Sequence, residues 1–113
     1  MSAVEEPEEV AMSVGQTILA QLGGRRFVAM TGARNLCTDG TMLHFSLPGG
    51  GFAKDGINKV RIELDPSDTY TVRFYKIGRA PRGSVEVVYE CEGVYEDMLR
   101  EMFEERTGLR VSL

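Results

Sequence analysis

The chain has little with which to do chemistry. Among 113 residues there is one histidine, His44, and there are two cysteines, Cys37 and Cys91. A general base or a metal ligand needs partners at suitable positions. None stands at a ligand spacing from His44, which reads as an ordinary strand histidine. There is no CxxC and no second cysteine pair, which argues against zinc. Cys37 falls in a segment read as loop near Arg34, a cation able to lower a thiol pKa, but no base is assigned to it. The expectation is a protein without catalytic residues, metal or cofactor, and so not an enzyme. No apolar run approaches the roughly 20 residues that cross a membrane. The first residues lack the basic and apolar regions of a secretory leader. A cytoplasmic location without membrane contact, and reduced thiols, are expected.

An excess of basic charge is also missing. Lys and Arg number 13 against 17 Asp and Glu, a net charge of −4. That argues against wholesale nucleic-acid binding, which leaves a basic footprint. The acid is concentrated at the two ends, in Glu5, Glu6, Glu8 and Glu9 and in Glu96, Asp97, Glu101, Glu104 and Glu105. The middle is locally basic, which leaves room for one basic face.

What is present is ordinary for a globular domain: 42% apolar and 27% charged residues, with 13 glycines. The chain is organised around residues 56–77. Val60, Ile62 and Leu64 alternate with Lys59, Arg61 and Glu63. Tyr70, Val72 and Phe74 alternate with Thr71, Arg73 and Tyr75. Such alternation marks half-buried strands, and Asp65-Pro66-Ser67-Asp68 between them is a turn. Residues 25–31 read as a first strand, 32–40 as a loop, 41–47 as a second strand and 85–90 as a fifth, with Val85, Val87 and Tyr89 on one side. Gly93 is expected to break that strand and to cap a last helix.

Two helices flank the sheet. Val10, Val14, Ile18 and Leu22 form a stripe that Gly23-Gly24 ends, with a start between Pro7 and Ser13. Tyr95, Met98, Leu99, Met102 and Phe103 form a second stripe, closed by Gly108. Leu109, Val111 and Leu113 alternate as a short edge strand. The expected fold is α+β: a helix, an antiparallel meander of about five strands, and a C-terminal helix packed on one face. Residues 1–9 are expected to be an acidic, disordered head, and residues 10–113 a single domain.

The glycine-rich run at 49–56 resembles a phosphate loop only superficially. Lys54 precedes Asp55 rather than Ser or Thr, and a strand follows; a mobile connection is the expectation. Glu90, Glu92, Glu96 and Asp97 show no metal-binding spacing and are read as structural. The basic residues are the candidate binding site. Lys59, Arg61, Arg73 and Tyr75 share the outward face of the central hairpin, and Arg79 and Arg82 lie in the turn after it. Arg25, Arg26 and Arg34 lie near the first expected strand. A sheet face with Arg and an aromatic is similar to surfaces that hold single-stranded nucleic acid. The competing reading is a solvated face whose cations pair with Glu63 and Glu86.

Several runs carry a family resemblance. They are Gly56-Ile57-Asn58-Lys59-Val60-Arg61-Ile62, Asp68-Thr69-Tyr70-Thr71-Val72-Arg73-Phe74, Gly93-Val94-Tyr95-Glu96-Asp97-Met98-Leu99-Arg100 and Phe103-Glu104-Glu105-Arg106-Thr107-Gly108-Leu109. With residues 22–33, they resemble small proteins encoded in bacterial prophages and conjugative elements. The resemblance covers residues 14–113. It implies an accessory protein of a mobile element and supplies no catalytic residue. The expected function is binding to a protein partner, with host-defence or DNA-handling machinery as the implied setting. The acidic ends suit a partner with a basic surface. The alternative is a nucleic-acid-binding module that uses the basic hairpin face.

Overall fold

A computed structural model describes residues 14–49, 51–78 and 84–111. The acidic head, the expected start of the first helix, and the candidate site residues Arg79 and Arg82 lie outside the described residues. Helix α1 spans Val14–Leu22 and α2 spans Arg25–Thr31. The strands are β1 (Arg34–Asp39), β2 (Met42–Ser46), β3 (Lys59–Leu64), β4 (Tyr70–Ile77) and β5 (Val85–Val94). Helix α3 spans Leu99–Thr107. The five strands pair antiparallel in chain order. The fold is α+β, as the alternating pattern implied.

The β3–β4 hairpin forms as its pattern predicts. Val60, Ile62, Val72 and Phe74 are buried on one face with Leu43 and Phe45 of β2. Its turn is tied by Asp65 N–H to Thr69 O (2.8 Å) and by Thr71 Oγ1 to Asp65 Oδ2 (2.6 Å). The helices cover this face through Ile18 and Leu22 of α1, Phe27 of α2, and Leu99 and Phe103 of α3. Gln21 ties α1 to the segment before α3, accepting from Tyr70 Oη (2.8 Å) and donating to Glu96 Oε1 (2.6 Å).

Residues 25–31 are a helix, not the expected strand, and the expected loop at 32–40 contains β1. Alternation in Phe27-Val28-Ala29-Met30 had suggested two apolar strand faces. The burial instead follows a four-residue period: Phe27 and Thr31 are buried, while Arg26 and Ala29 are exposed. Gly32 caps α2 in the left-handed conformation (φ 72°). The same device ends α3. In each helix a buried Thr hydroxyl donates to a Phe carbonyl one turn back, Thr31 to Phe27 (2.8 Å) and Thr107 to Phe103 (2.7 Å). Each hydroxyl then accepts the N–H two residues on, from Ala33 and from Leu109. The helix carbonyls and the exiting chain thus have partners.

Strand β5 also departs from expectation. It runs through Gly93 to Val94, so Gly93 (φ 68°) belongs to an irregular strand pairing and not to a helix cap. A 3₁₀ turn at Glu96–Met98 follows, and α3 starts only at Leu99. Tyr95 and Met98 are therefore exposed, while Leu99 and Phe103 fill the core. A second irregularity sets Phe74 opposite Tyr89 but Tyr75 opposite Val87. The extra residue, Val88, reverses the parity of what precedes it. Val85 and Val87 thus stand on the face opposite Tyr89, and they are 65% and 51% exposed.

Two smaller segments take local forms that the pattern did not suggest. Residues 109–111 are not in a strand, and the Val111 N–H donates to Glu104 Oε2 (2.9 Å); Leu113, the last residue of the expected edge strand, lies outside the described residues. Within the 49–56 connection, residues 54–56 form a 3₁₀ turn pinned to its surroundings. Lys54 Nζ donates to Glu105 O (3.3 Å), and Asp55 Oδ2 accepts from Tyr89 Oη (2.7 Å). Ala53 beside the turn is buried.

Candidate binding face

The sheet has two unlike faces. Helices cover one. Among the described residues no helix covers the other, whose residues follow from the registers. Cys37 stands opposite His44, and His44 opposite Arg61; Arg61 lies opposite Arg73, which lies opposite Glu90. One step along, Ser46, Lys59, Tyr75 and Val87 form a second row. Successive residues of a strand point to opposite faces, so burying Val60, Ile62, Val72 and Phe74 forces Lys59, Arg61, Arg73 and Tyr75 outward together. The structure brings these four candidate residues into one patch, each partly exposed.

The charges are partly matched. Arg73 Nε donates to Glu90 Oε2 at 2.7 Å, and Arg61 Nη2 lies 3.8 Å from Glu63 Oε1. The competing reading paired the cations of this face with Glu63 and Glu86; the pairs found are with Glu63 and Glu90. The Arg73–Glu90 pair is partly exposed and contributes about 0.2–1 kcal/mol. Arg61 Nε and His44 Nδ1 are buried atoms without a hydrogen-bond partner among the described residues. Both residues line a shallow groove of about 340 Å³ with Met42, Lys59, Tyr75, Ile77 and Val85. The groove therefore has an apolar rim, cationic walls and unmet hydrogen-bonding capacity.

His44 lines this groove. Burial pushes its pKa below the usual 6.5, Lys59 and Arg61 push it down further, and Asp39 opposes them. Because the folded pKa is depressed, protonation favours the unfolded chain. His44 should therefore titrate below 6.5 by NMR. Its contribution to stability should be intact above 6.5, fall as pH drops from 6.5 to the folded pKa, and level off below that. A measured pKa above 6.5 would mean that Asp39 outweighs burial and the two cations. Cys37 faces His44 from β1 rather than sitting in a loop, and both cysteines are free.

Protein-family models, curated proteins and solved structures offer no match to this chain. The site is therefore read from its own geometry. Among the described residues, no three His, Cys, Asp or Glu side chains converge as metal ligands, and no helix is long and apolar enough to cross a membrane.

A second concavity, of about 680 Å³, has the opposite sign. Asp68, Glu96 and Asp97 line it with the exposed Tyr95 and Met98. The sequence had assigned Tyr95 and Met98 to the core stripe of the last helix, so this cleft could not be read from the pattern. The apolar edge that Val85 and Val87 add to the basic face was missed for a related reason, since the irregularity at Val88 has no obvious sequence mark. Of the basic residues beyond the hairpin, Arg34 of β1 stands opposite Ser46 and lines a concavity with Lys59 and Ile77, so it extends the basic row, while Arg25 and Arg26 lie on α2.

Proposed function

We propose that the protein is a non-enzymatic binding module that engages a protein partner through the open sheet face. One observation carries this reading: the register puts Tyr75, Arg61, Arg73 and Lys59 beside the exposed Val85 and Val87 on a sheet face that no helix covers among the described residues. Interface cores are enriched in aromatics, Met and Arg, and this face offers all three. The cations favour a partner surface that carries carboxylates. In this reading the protein works in the cytoplasm. The resemblance to proteins of prophages and conjugative elements supports an accessory role there, by association rather than mechanism.

The test is the double variant Arg61→Gln, Arg73→Gln. Neutral replacements are preferable to charge reversal, because a carboxylate at position 73 would face Glu90 across the strand pair. Fold stability should change by about 0.5–1 kcal/mol. Partner capture from the native host should weaken at least roughly tenfold, as expected when centrally placed Arg contacts are removed. Undiminished capture would move the contact surface elsewhere, with the acidic cleft at Tyr95 and Met98 next in line.

A second reading, single-stranded nucleic-acid binding, draws on the same three cations beside Tyr75. It predicts affinity for an oligonucleotide that falls steeply with salt. The pairing of Arg73 with Glu90 and of Arg61 with Glu63 speaks for the protein partner instead.

A further inference from the structure

The open face carries two adjoining concavities of unlike character. One is the groove of about 340 Å³, with Met42, Tyr75, Ile77 and Val85 and the unmatched nitrogens of His44 and Arg61. The other, of about 370 Å³, is polar and is lined by Arg34, Asn35, Ser46 and Gly49. Lys59 and Ile77 line both. Among the described residues no Asp or Glu lines either one, although the chain carries 17 acidic residues against 13 basic ones. The irregularity of β1 between Arg34 and Cys37, where Asn35 turns left-handed (φ 56°), leaves both Arg34 and Asn35 at the polar concavity. Irregularities of this kind re-aim side chains beside binding sites. Arg34, Ser46, Lys59 and Tyr75 follow one another across β1 to β4. Arg34 and Tyr75 thus stand about 14 Å apart at the backbone, with Lys59 between them.

Each concavity has a chemical complement. The groove suits a flat heteroaromatic ring: Tyr75 and the aliphatic side chains can contact its faces, and the unmatched capacity of Arg61 and His44 favours a ring with a polar edge over a hydrocarbon. The polar concavity suits a phosphate, which a guanidinium grips through paired hydrogen bonds and an ammonium attracts as a point charge. A ligand that spans both, passing Lys59, is a base joined to a phosphate. One such unit fits better than a polynucleotide, because the next row of the face brings Asp39 and Glu63 to either side of Met42. We propose that the two concavities form one binding site for a nucleoside monophosphate, with the base in the groove beside Tyr75 and the phosphate at Arg34 and Lys59. The inference goes beyond the contact-face reading and does not depend on it, although Lys59, Arg61 and Tyr75 serve both.

The test titrates the full chain with AMP, GMP, CMP and UMP, and separately with the matching nucleosides and with inorganic phosphate, while amide resonances are followed by NMR. At least one monophosphate should shift Asn35 and Lys59 together with His44 and Tyr75, at a single midpoint. That midpoint should lie at least roughly tenfold below that of its nucleoside, as expected for an added charge-assisted contact. If no monophosphate shifts both sets at millimolar concentration, the proposal is overturned. Inorganic phosphate acting at the same midpoint as the monophosphates would mean an adventitious ion only and would also overturn it. Arg34 is exposed, so Arg34→Gln should leave the fold intact. It should weaken the monophosphate at least roughly tenfold and leave the nucleoside unchanged; an equal effect on the two, or none on either, counts against the site. An octanucleotide that binds more tightly per nucleotide, with steep salt dependence, would assign the face to single-stranded nucleic acid instead. Partner capture is read separately. If Arg61→Gln, Arg73→Gln abolishes capture and no monophosphate binds, this site falls and the contact face stands. If a monophosphate binds and the double variant captures normally, the contact face falls and the site stands.

Discussion

Replacing Phe103 with alanine should lower the unfolding free energy by about 3–5 kcal/mol. The ring is 1% exposed, and its centroid lies 5.2 Å from Phe27, 6.2 Å from Phe45 and 6.5 Å from Phe74. It therefore joins α3, α2, β2 and β4 at one point. Deleting it removes apolar transfer energy and several aromatic contacts, each worth about 0.5–1.5 kcal/mol. The four rings come from four elements, so the hole cannot close by moving a single helix. Urea denaturation of the two chains would measure the loss. A change below about 1 kcal/mol would mean that α3 does not seat on the sheet and that its stripe is a docking surface.

Gly15→Ala should destabilise the protein by about 1–2 kcal/mol, although alanine is the better helix former by about 1 kcal/mol. A Cβ at position 15 would stand 2.6 Å from the Thr38 side chain and 2.7 Å from the Met42 backbone oxygen. Helix α1 thus lies directly on the β1–β2 hairpin, and a methyl group would have to push it away. Thr38→Gly in the same chain removes the side-chain clash but not the clash with the Met42 oxygen, so rescue should be partial. Denaturant midpoints of the single and double variants would show this. A Gly15→Ala protein as stable as the parent would place α1 farther from the hairpin than described here.

The parts of the fold that were legible follow from local patterns. Strands β3 and β4 alternate strictly, and the Asp-Pro-Ser-Asp turn joins them, so their pairing and the outward placement of Lys59, Arg61, Arg73 and Tyr75 could be read directly. Helix α1 and the Gly108 terminator were legible for the same reason. Residues 25–31 were not, because the four-residue apolar run Phe27-Val28-Ala29-Met30 fits either period. A signal was nonetheless available: Phe27, Thr31 and Gly32 repeat the spacing of Phe103, Thr107 and Gly108. Those two matching helix ends meet in the core as the Phe27–Phe103 ring pair.

The sequence by itself determined the α+β class, the antiparallel meander around β3 and β4, and the cationic character of one hairpin face. Those features depend on the alternation of side chains along single strands and on the turn between them. Only the tertiary structure decided that residues 25–31 coil, where burial of Phe27 against Phe45 and Phe103 overrides a strand-like pattern. It alone decided that β5 changes parity at Val88 and so adds Val85 and Val87 to the basic face. It also decided that the sheet irregularity at Gly93 delays α3 and leaves Tyr95 and Met98 exposed. Each of these outcomes is set by what lies across the sheet or above it, and a single strand or helix carries no record of its neighbours.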